Sequence, residues 1–137
     1  MSDAQFRWPV RVYYEDTDTA GIVYYASYLK FMERARTEWL RLRGFNHLAL
    51  SEEHDTVFIV ARLNIHYRQP ARLDDQLLVG ASVSKVGRAS FDMQQLVYRD
   101  EKTLLCSATV RLACVSGARM KPVAIPHFLL TELKREN

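Results

Sequence analysis

Several features that mark special classes of protein are missing from these 137 residues. Five glycines and four prolines are too few for a collagen-like or low-complexity chain. No apolar run approaches the roughly 18–20 residues of a membrane-spanning helix, and the N-terminal residues lack the apolar segment of a secretory signal peptide. With 48% hydrophobic and 26% charged residues, the composition is typical of one globular domain, which we expect to span residues 1–137 without membrane insertion.

Reactive motifs are also scarce. The only two cysteines, Cys106 and Cys114, are eight positions apart, which is about 26 Å along one extended strand, whereas a disulfide needs Cα atoms within about 7 Å. We therefore expect free thiols and a cytoplasmic protein. The four histidines lack metal-ligand spacing, and there is no glycine-rich phosphate loop or G-x-S-x-G motif. A net charge of +3 is too small to indicate nucleic-acid binding.

The hydrophobic pattern predicts one long helix among strands. Residues 10–16 have strand composition, and apolar residues from 28 to 42 recur at helical spacing, with Ser27 as the expected N-cap and Gly44 as the stop. Residues 46–56 look irregular. Alternating segments follow at 57–68, 77–83, 89–98 and 104–114, joined by short polar turns.

This order of elements favours an antiparallel sheet that curves around the helix, because short turns join neighbouring antiparallel strands. Such a sheet leaves an apolar edge or face to bury, so we expect an oligomer. The polar face of the helix is expected to face water; its members are Lys30, Glu33, Arg34, Arg36, Thr37 and Arg41.

The segment 13–28 is the most unusual part of the chain. Three carboxylates, Glu15, Asp16 and Asp18, precede an aromatic stretch and the predicted start of the helix. One interpretation is a solvated turn. The other is a catalytic carboxylate beside a helix N-terminus, whose free N–H groups can stabilise an oxyanion. The residue types alone leave both open.

Three stretches carry a family resemblance: WPVRVYYEDTDTAGIVYYASYLKFMERARTEWL at 8–40, YRQPARLDD at 67–75 and MKP at 120–122. They resemble the acyl-CoA thioesterases of the 4-hydroxybenzoyl-CoA thioesterase class, especially the branch encoded beside the bacterial Tol-Pal envelope system. The resemblance implies the α+β hot-dog fold, a five-stranded antiparallel sheet wrapped around one long central helix. It also implies a homodimer or a tetramer built from two dimers, active sites at the subunit interface, and no metal or redox cofactor.

The resemblance also assigns roles to residues. Asp18 matches the family's catalytic aspartate, whereas Glu15 and Asp16 look like neighbours that shape the loop. Tyr25 matches the helix-opening position whose backbone N–H polarises the thioester carbonyl; many members of this branch have histidine there. The positions that match contacts to the nucleotide of coenzyme A are Arg88, Ser90, Arg119 and Lys121.

The expected activity is hydrolysis of an acyl-CoA thioester to CoA and a carboxylic acid, with Asp18 as general base or nucleophile. An apolar acyl pocket is expected near Asp18, from Ile22, Val23, Tyr24 and Tyr28, with Val57–Val60 as its far wall. Two alternatives stay open: a thioesterase acting on acyl carrier protein, and a non-enzymatic acyl-CoA binding module or envelope adaptor. A dehydratase of the same fold is disfavoured because its histidine is missing from residues 18–27.

Overall fold

A computed structural model describes residues 6–135. The elements along the chain are β1 (Arg7–Arg11), a 3-10 turn (Tyr14–Asp16), α1 (Ser27–Leu42), α2 (His47–His54), β2 (Thr56–Tyr67), β3 (Gln76–Val86), β4 (Ser90–Arg99), β5 (Thr103–Ser116) and α3 (His127–Arg135). The five strands form one sheet in the order β1-β3-β4-β5-β2, and every neighbouring pair is antiparallel. The predicted five-stranded sheet and long helix are therefore confirmed.

The core lies between α1 and the sheet. The helix buries one stripe of side chains, chiefly Tyr28, Phe31, Met32, Ala35 and Trp39. Alternate residues of β3, β4 and β5 are buried as well, which is the period of two that the sequence displays. Removing these apolar surfaces from water is the main favourable contribution to the fold.

The chain before α1 differs from the prediction of a strand over residues 10–16. Strand β1 ends at Arg11, and residues 14–16 form the 3-10 turn instead of continuing the strand. The carboxylate of Asp16 accepts a hydrogen bond from the N–H of Tyr13 at 2.9 Å, which closes this turn. Pro9 is tolerated within β1 because that strand lies at a sheet edge.

Residues 46–56, predicted to be irregular, contain helix α2. The Asn46 side chain caps this helix by accepting from the N–H of Ala49 at 2.8 Å. Asp55 ends it in the left-handed conformation, with φ 49°. At α1, Ala26 rather than Ser27 occupies the N-cap position, and Ser27 is the first helical residue. The apolar residues Phe128, Leu129 and Leu130 lie in α3, which packs against β3 with Leu129 and Leu133 fully buried.

Strand β2 forms the edge opposite β1 and is exposed along most of its length. Among the described residues 6–135 it pairs with β5 alone, so its other side has no neighbouring strand there. Three of its apolar side chains are open to solvent: Ile59 (44% exposed), Val60 (51%) and Leu63 (37%). An unpaired edge bearing apolar side chains is a surface on which another strand can pair.

Candidate active site

Asp18 lies in a tight loop that leads from the 3-10 turn to α1. Its N–H donates to the carbonyl of Ile22 at 3.0 Å, and its carbonyl accepts from Gly21 at 3.1 Å. Gly21 has φ 78°, a conformation that side chains with a Cβ rarely adopt. The Asp18 side chain is exposed, and Oδ1 accepts from the N–H of Ala20 at 2.9 Å. Within residues 6–135 that is its one side-chain hydrogen bond, so Oδ2 is free for chemistry.

Asp16 has a different role from Asp18. It is buried, accepts from Tyr13 and pairs with Lys30 Nζ at 3.4 Å. Its backbone carbonyl accepts from the N–H of Tyr24 at 2.9 Å. Asp16 thus connects Tyr13, which precedes Asp18, to Tyr24, which follows it. Glu15, in contrast, is exposed.

The N-terminus of α1 stands at the end of the same loop. The helix has no side-chain cap, and the N–H groups of Tyr25 and Ala26 have no backbone acceptor within the described residues 6–135. The helix dipole adds partial positive charge at this end. This arrangement can receive a developing oxyanion.

Four tyrosines gather around this helix start: Tyr24, Tyr25, Tyr28 and Tyr67. The Tyr25 and Tyr67 rings meet edge to face with centroids 6.3 Å apart, and those of Tyr28 and Tyr67 are 5.4 Å apart. The Tyr67 hydroxyl donates to the carbonyl of Tyr25 at 2.9 Å. Burial raises the pKa of both Tyr28 and Tyr67, so these phenols stay neutral at physiological pH.

A cavity of about 250 Å³ lies between the C-terminal half of α1 and the sheet. Its apolar lining includes Trp39, Phe58, Val60, Phe91 and Met93. Phe58, Ile59 and Val60 of the predicted far wall therefore line it. Asp18 and the other predicted pocket residues, 22–24 and 28, do not. One copy of the chain does not bring the two halves of the predicted pocket together.

Polar groups lie along one part of this cavity. Arg36, predicted to face water, is half-buried instead, and its Nη1 donates to Oε1 of Gln95 at 3.0 Å. Gln95 is fully buried and donates to the carbonyl of Met32 at 2.9 Å. Desolvation lowers the pKa of Arg36 and of His47, which also lines the cavity. Arginine keeps its charge at neutral pH in spite of this shift.

The predicted nucleotide contacts gather at one end of the sheet. Arg88 lies in the turn between β3 and β4, and its carbonyl accepts from Ile125 at 2.9 Å, in the segment that follows β5. Ser90 begins β4 and is half-buried, whereas Arg119 and Lys121 are exposed in the loop after β5. The first residue of β2, Thr56, pairs with Ser116 at this same end.

The Asp18 loop lies at the other end of β2. Val23 donates to the carbonyl of Ala71 at 2.8 Å, and Leu73 donates to that of Gly21 at 3.3 Å, so the loop packs on the segment after β2. The twelve residues of β2 extend about 40 Å. Within one chain, Asp18 and the exposed cations are therefore far apart.

Comparison with known proteins identifies the family. The thioesterase superfamily matches residues 20–106, which is more than half of the sequence. The chain belongs to this superfamily. The thioesterase chain is 44% identical over 135 residues to the acyl-CoA thioester hydrolase YbgC of Escherichia coli O6:H1, covering 98% of this chain and 100% of the relative. It is 49% identical over 126 residues to the acyl-CoA thioesterase YbgC of Haemophilus influenzae, covering 92% of each.

A solved structure shares the architecture of this thioesterase. The probable thioesterase of Bartonella henselae superposes with a TM-score of 0.85 at 35% identity, covering 90% of this chain and all of that one. The expected α+β hot-dog fold is confirmed.

Two features of this thioesterase were not expected from its sequence. The sequence predicts Tyr67 as part of an alternating strand and as the first residue of the resembling stretch 67–75, without a role of its own, and Arg36 as one of several residues on a helix face that meets water. The partner of Tyr67 is 42 positions away and that of Arg36 is 59 away, so no local pattern could reveal either. Within residues 6–135 no helix is long and apolar enough to cross a membrane, and no group of three or more metal-ligating side chains is found.

Proposed function

We propose that the protein hydrolyses acyl-CoA thioesters to CoA and a carboxylic acid. Relatives named as acyl-CoA thioester hydrolases, which align over nearly the whole chain, support this activity. The observation that carries the chemistry is the exposed Asp18 carboxylate in a hydrogen-bonded loop leading to the uncapped N-terminus of α1. The loop supplies a base or nucleophile, and the helix supplies oxyanion donors.

The oxyanion forms when the thioester carbonyl becomes tetrahedral. The backbone N–H of Tyr25 donates to this oxygen, assisted by the positive end of the helix dipole. One such donor typically contributes about 3–4 kcal/mol of transition-state stabilisation. The phenol of Tyr25 needs no part in this step, because the backbone supplies the donor.

Asp18 serves by one of two routes. As general base, it removes a proton from water while the water oxygen attacks the carbonyl carbon, and collapse of the intermediate expels the CoA thiolate. As nucleophile, its carboxylate forms a mixed anhydride as the thiolate leaves, and water then cleaves the anhydride. Both routes give CoA and a carboxylic acid, and both need the carboxylate at position 18.

The proposed site is shared between two copies of the chain. Asp18 and the Tyr25 N–H lie at the last-residue end of β2, whereas the cavity wall at Phe58–Val60 and the exposed cations lie towards its first residue. If two β2 edges pair antiparallel about a two-fold axis, the end of one strand meets the start of the other. Asp18 of one copy then faces the cavity and cations of its partner.

This homodimer is supported by the exposed apolar side chains of Ile59, Val60 and Leu63 on the unpaired edge. A tetramer formed from two such dimers retains the same sites. In either assembly the acyl group occupies the cavity, and the CoA phosphates are contacted by Arg88, Ser90, Arg119 and Lys121. The cations suit this task because phosphate recognition needs charged donors.

We place this activity in the cytoplasm. Cys106 and Cys114 are free, buried and on the same strand, β5, and burial raises the pKa of Cys106 to about 12. Inert reduced thiols are typical of a reducing compartment. An association with the Tol-Pal envelope system is a prediction from the resemblance, tested by co-purification with its components.

The activity is tested by measuring free CoA released from short, long and aromatic acyl-CoAs. Asp18→Asn is expected to lower kcat by about 10²–10⁴-fold. Glu15→Gln is the matched control, because it neutralises an exposed carboxylate of the same segment. Equal turnover by wild type and Asp18→Asn would remove Asp18 from the mechanism. Turnover of acyl carrier protein substrates alone, or binding of acyl-CoA without turnover, would favour the corresponding alternative function.

A further inference from the structure

The carboxylate of Asp55 bridges the start of β2 to the loop that follows β5. Asp55 Oδ2 accepts from the Ser116 hydroxyl at 2.5 Å, and Oδ1 accepts from the N–H of Ala118 at 2.9 Å. Asp55 has φ 49°, a left-handed conformation that aspartate tolerates better than most residues. Both oxygens thus hold residues that lie just before Arg119.

The loop is fastened a second time through Ser116. Its hydroxyl oxygen accepts from the N–H of Arg119 at 3.1 Å, and its N–H donates to the carbonyl of Lys121 at 2.9 Å. Met120, between the two cations, has φ 53° and donates to the carbonyl of Ser116 at 2.7 Å. The backbone of both cationic residues is therefore fixed by bonds that converge on Ser116 and, through it, on Asp55.

The negative charge of Asp55 opposes the proposed binding of CoA phosphates to this loop. A site for CoA phosphates gains from positive charge, and a carboxylate close by repels the ligand. Asp55 and Arg119 are close, because the Ser116 hydroxyl bonds both the Asp55 carboxylate and the N–H of Arg119; the hydrogen bonds to Ser116 and Ala118 lower the pKa of Asp55, and Arg119 contributes in the same direction. A carboxylate at this position is therefore expected only if it favours ligand binding in another way, by more than the repulsion disfavours it.

We infer that Asp55 is a positioning residue for nucleotide binding: its carboxylate holds the 117–121 loop so that Arg119 and Lys121 are aligned for the CoA phosphates. This inference rests on the proposed function, because it assumes that the loop contacts CoA. Ordering the loop before binding reduces the conformational entropy lost when the ligand arrives.

The test compares an acyl-CoA with the acyl-pantetheine that carries the same acyl group but no nucleotide. Asp55→Gly removes the carboxylate and suits the left-handed backbone. We expect KM for acyl-CoA to rise about tenfold, with kcat and the KM for acyl-pantetheine unchanged. Electrostatics alone predicts the opposite sign, because losing a negative charge beside cations should lower KM for acyl-CoA.

Asp55→Asn separates the hydrogen bonds from the charge. It makes the same charge change as glycine, yet its amide oxygen can accept from Ala118 and its amide nitrogen can donate to Ser116 Oγ. We expect a KM for acyl-CoA close to that of wild type. Asp100→Gly is the matched control: Asp100 is also left-handed, with φ 53°, and its Oδ1 accepts from Lys102 and Thr103 at the opposite end of β5.

The outcomes are distinct. A KM for acyl-CoA that falls or stays constant in Asp55→Gly overturns the positioning role. If wild type itself handles acyl-CoA and acyl-pantetheine with equal KM, the proposed nucleotide contacts are wrong, and Asp55 has no such role either. Retained turnover of acyl-pantetheine reports that each variant is folded. If Asp55→Gly does not fold, Ser116→Ala removes the same link and is expected to raise KM for acyl-CoA alone.

Discussion

The hydroxyl of Tyr67 donates a 2.9 Å hydrogen bond to the backbone carbonyl of Tyr25. This bond joins the last residue of the edge strand β2 to the peptide that precedes α1. It therefore fixes the orientation of the Tyr25–Ala26 peptide group, which directly follows the Tyr25 N–H that we propose as the oxyanion donor. An edge strand and a catalytic helix terminus are thereby coupled through one phenol.

Replacing Tyr67 with phenylalanine should reveal this coupling. The ring contacts with Tyr25 and Tyr28 remain, and only the hydrogen bond is lost. We expect kcat to fall about tenfold with little change in KM, because a misaligned donor weakens transition-state stabilisation more than substrate binding. Steady-state kinetics on one acyl-CoA measures both constants.

The matched control is Tyr98→Phe, which also removes one tyrosine hydroxyl. Tyr98 is on β4, and its ring contacts the guanidinium of Arg7. This substitution should leave kcat unchanged. An undiminished kcat in Tyr67→Phe would show that the peptide is held by other contacts.

The parts of the fold that the sequence predicts are those with local patterns. Strands β3, β4 and β5 each have one face in the core, so their burial alternates with a period of two. Helix α1 has a broad apolar stripe. Helix α2 buries only Leu50, so it leaves no stripe to detect, and the capping Asn46 is its one local signal.

The candidate site likewise contains parts that local sequence patterns indicate and parts that they do not. The Asp18 loop is unusual in the sequence because its carboxylates and the helix start are adjacent, but the residue types alone leave a solvated turn open, and it is the family resemblance that assigns the catalytic role to Asp18. Arg36 looked solvent-facing because its buried partner, Gln95, is a polar residue inside an otherwise apolar strand face. The link from Asp55 to Ser116 joins residues 61 positions apart. Contacts of this kind depend on strand order, which single-sequence patterns do not specify.

The ion pair of Asp92 and Arg111 should make stability depend on pH. Arg111 Nε and Nη2 donate to the two carboxylate oxygens at 2.8 and 3.2 Å, and this hydrogen bonding lowers the pKa of Asp92. A carboxyl whose pKa is lower in the folded state stabilises the protein above its unfolded pKa, about 4. That stabilisation is lost as the pH falls through the folded pKa.

Urea unfolding of wild type and Asp92→Asn at several pH values checks this dependence. The variant should be less stable at pH 7, and the difference should shrink towards pH 3. Glu101→Gln, an exposed turn residue, should track wild type throughout. A stability difference that does not vary with pH would mean that the charge of Asp92 contributes nothing.

If two copies pair through the exposed edge of β2, a single charged substitution on that edge should disrupt the dimer. Leu63 lies near the middle of the strand and is 37% exposed in one copy. In the proposed dimer, Leu63→Lys places two like charges near the two-fold axis. We expect a folded monomer by sedimentation, with acyl-CoA hydrolysis lowered at least about 100-fold because each site loses half its residues. Lys102→Leu, at an exposed turn eight residues along the chain from Val110, the partner of Leu63 on β5, provides a control for a change of surface charge away from the middle of β2; a monomeric wild type would overturn the dimer.

Mixing two inactive proteins tests whether the site is shared. Asp18→Asn lacks the catalytic carboxylate but keeps the cavity and cations; the double variant Arg119→Ala/Lys121→Ala keeps Asp18 but binds CoA poorly. After subunits exchange at random, half the dimers are mixed, and in each of these one site combines Asp18 of one copy with the cations of the other. We therefore expect about a quarter of wild-type activity, measured at acyl-CoA concentrations well below KM. If Asp18 instead served the cations of its own chain, no mixed dimer would contain an intact site, and activity would stay at the level of the separate variants.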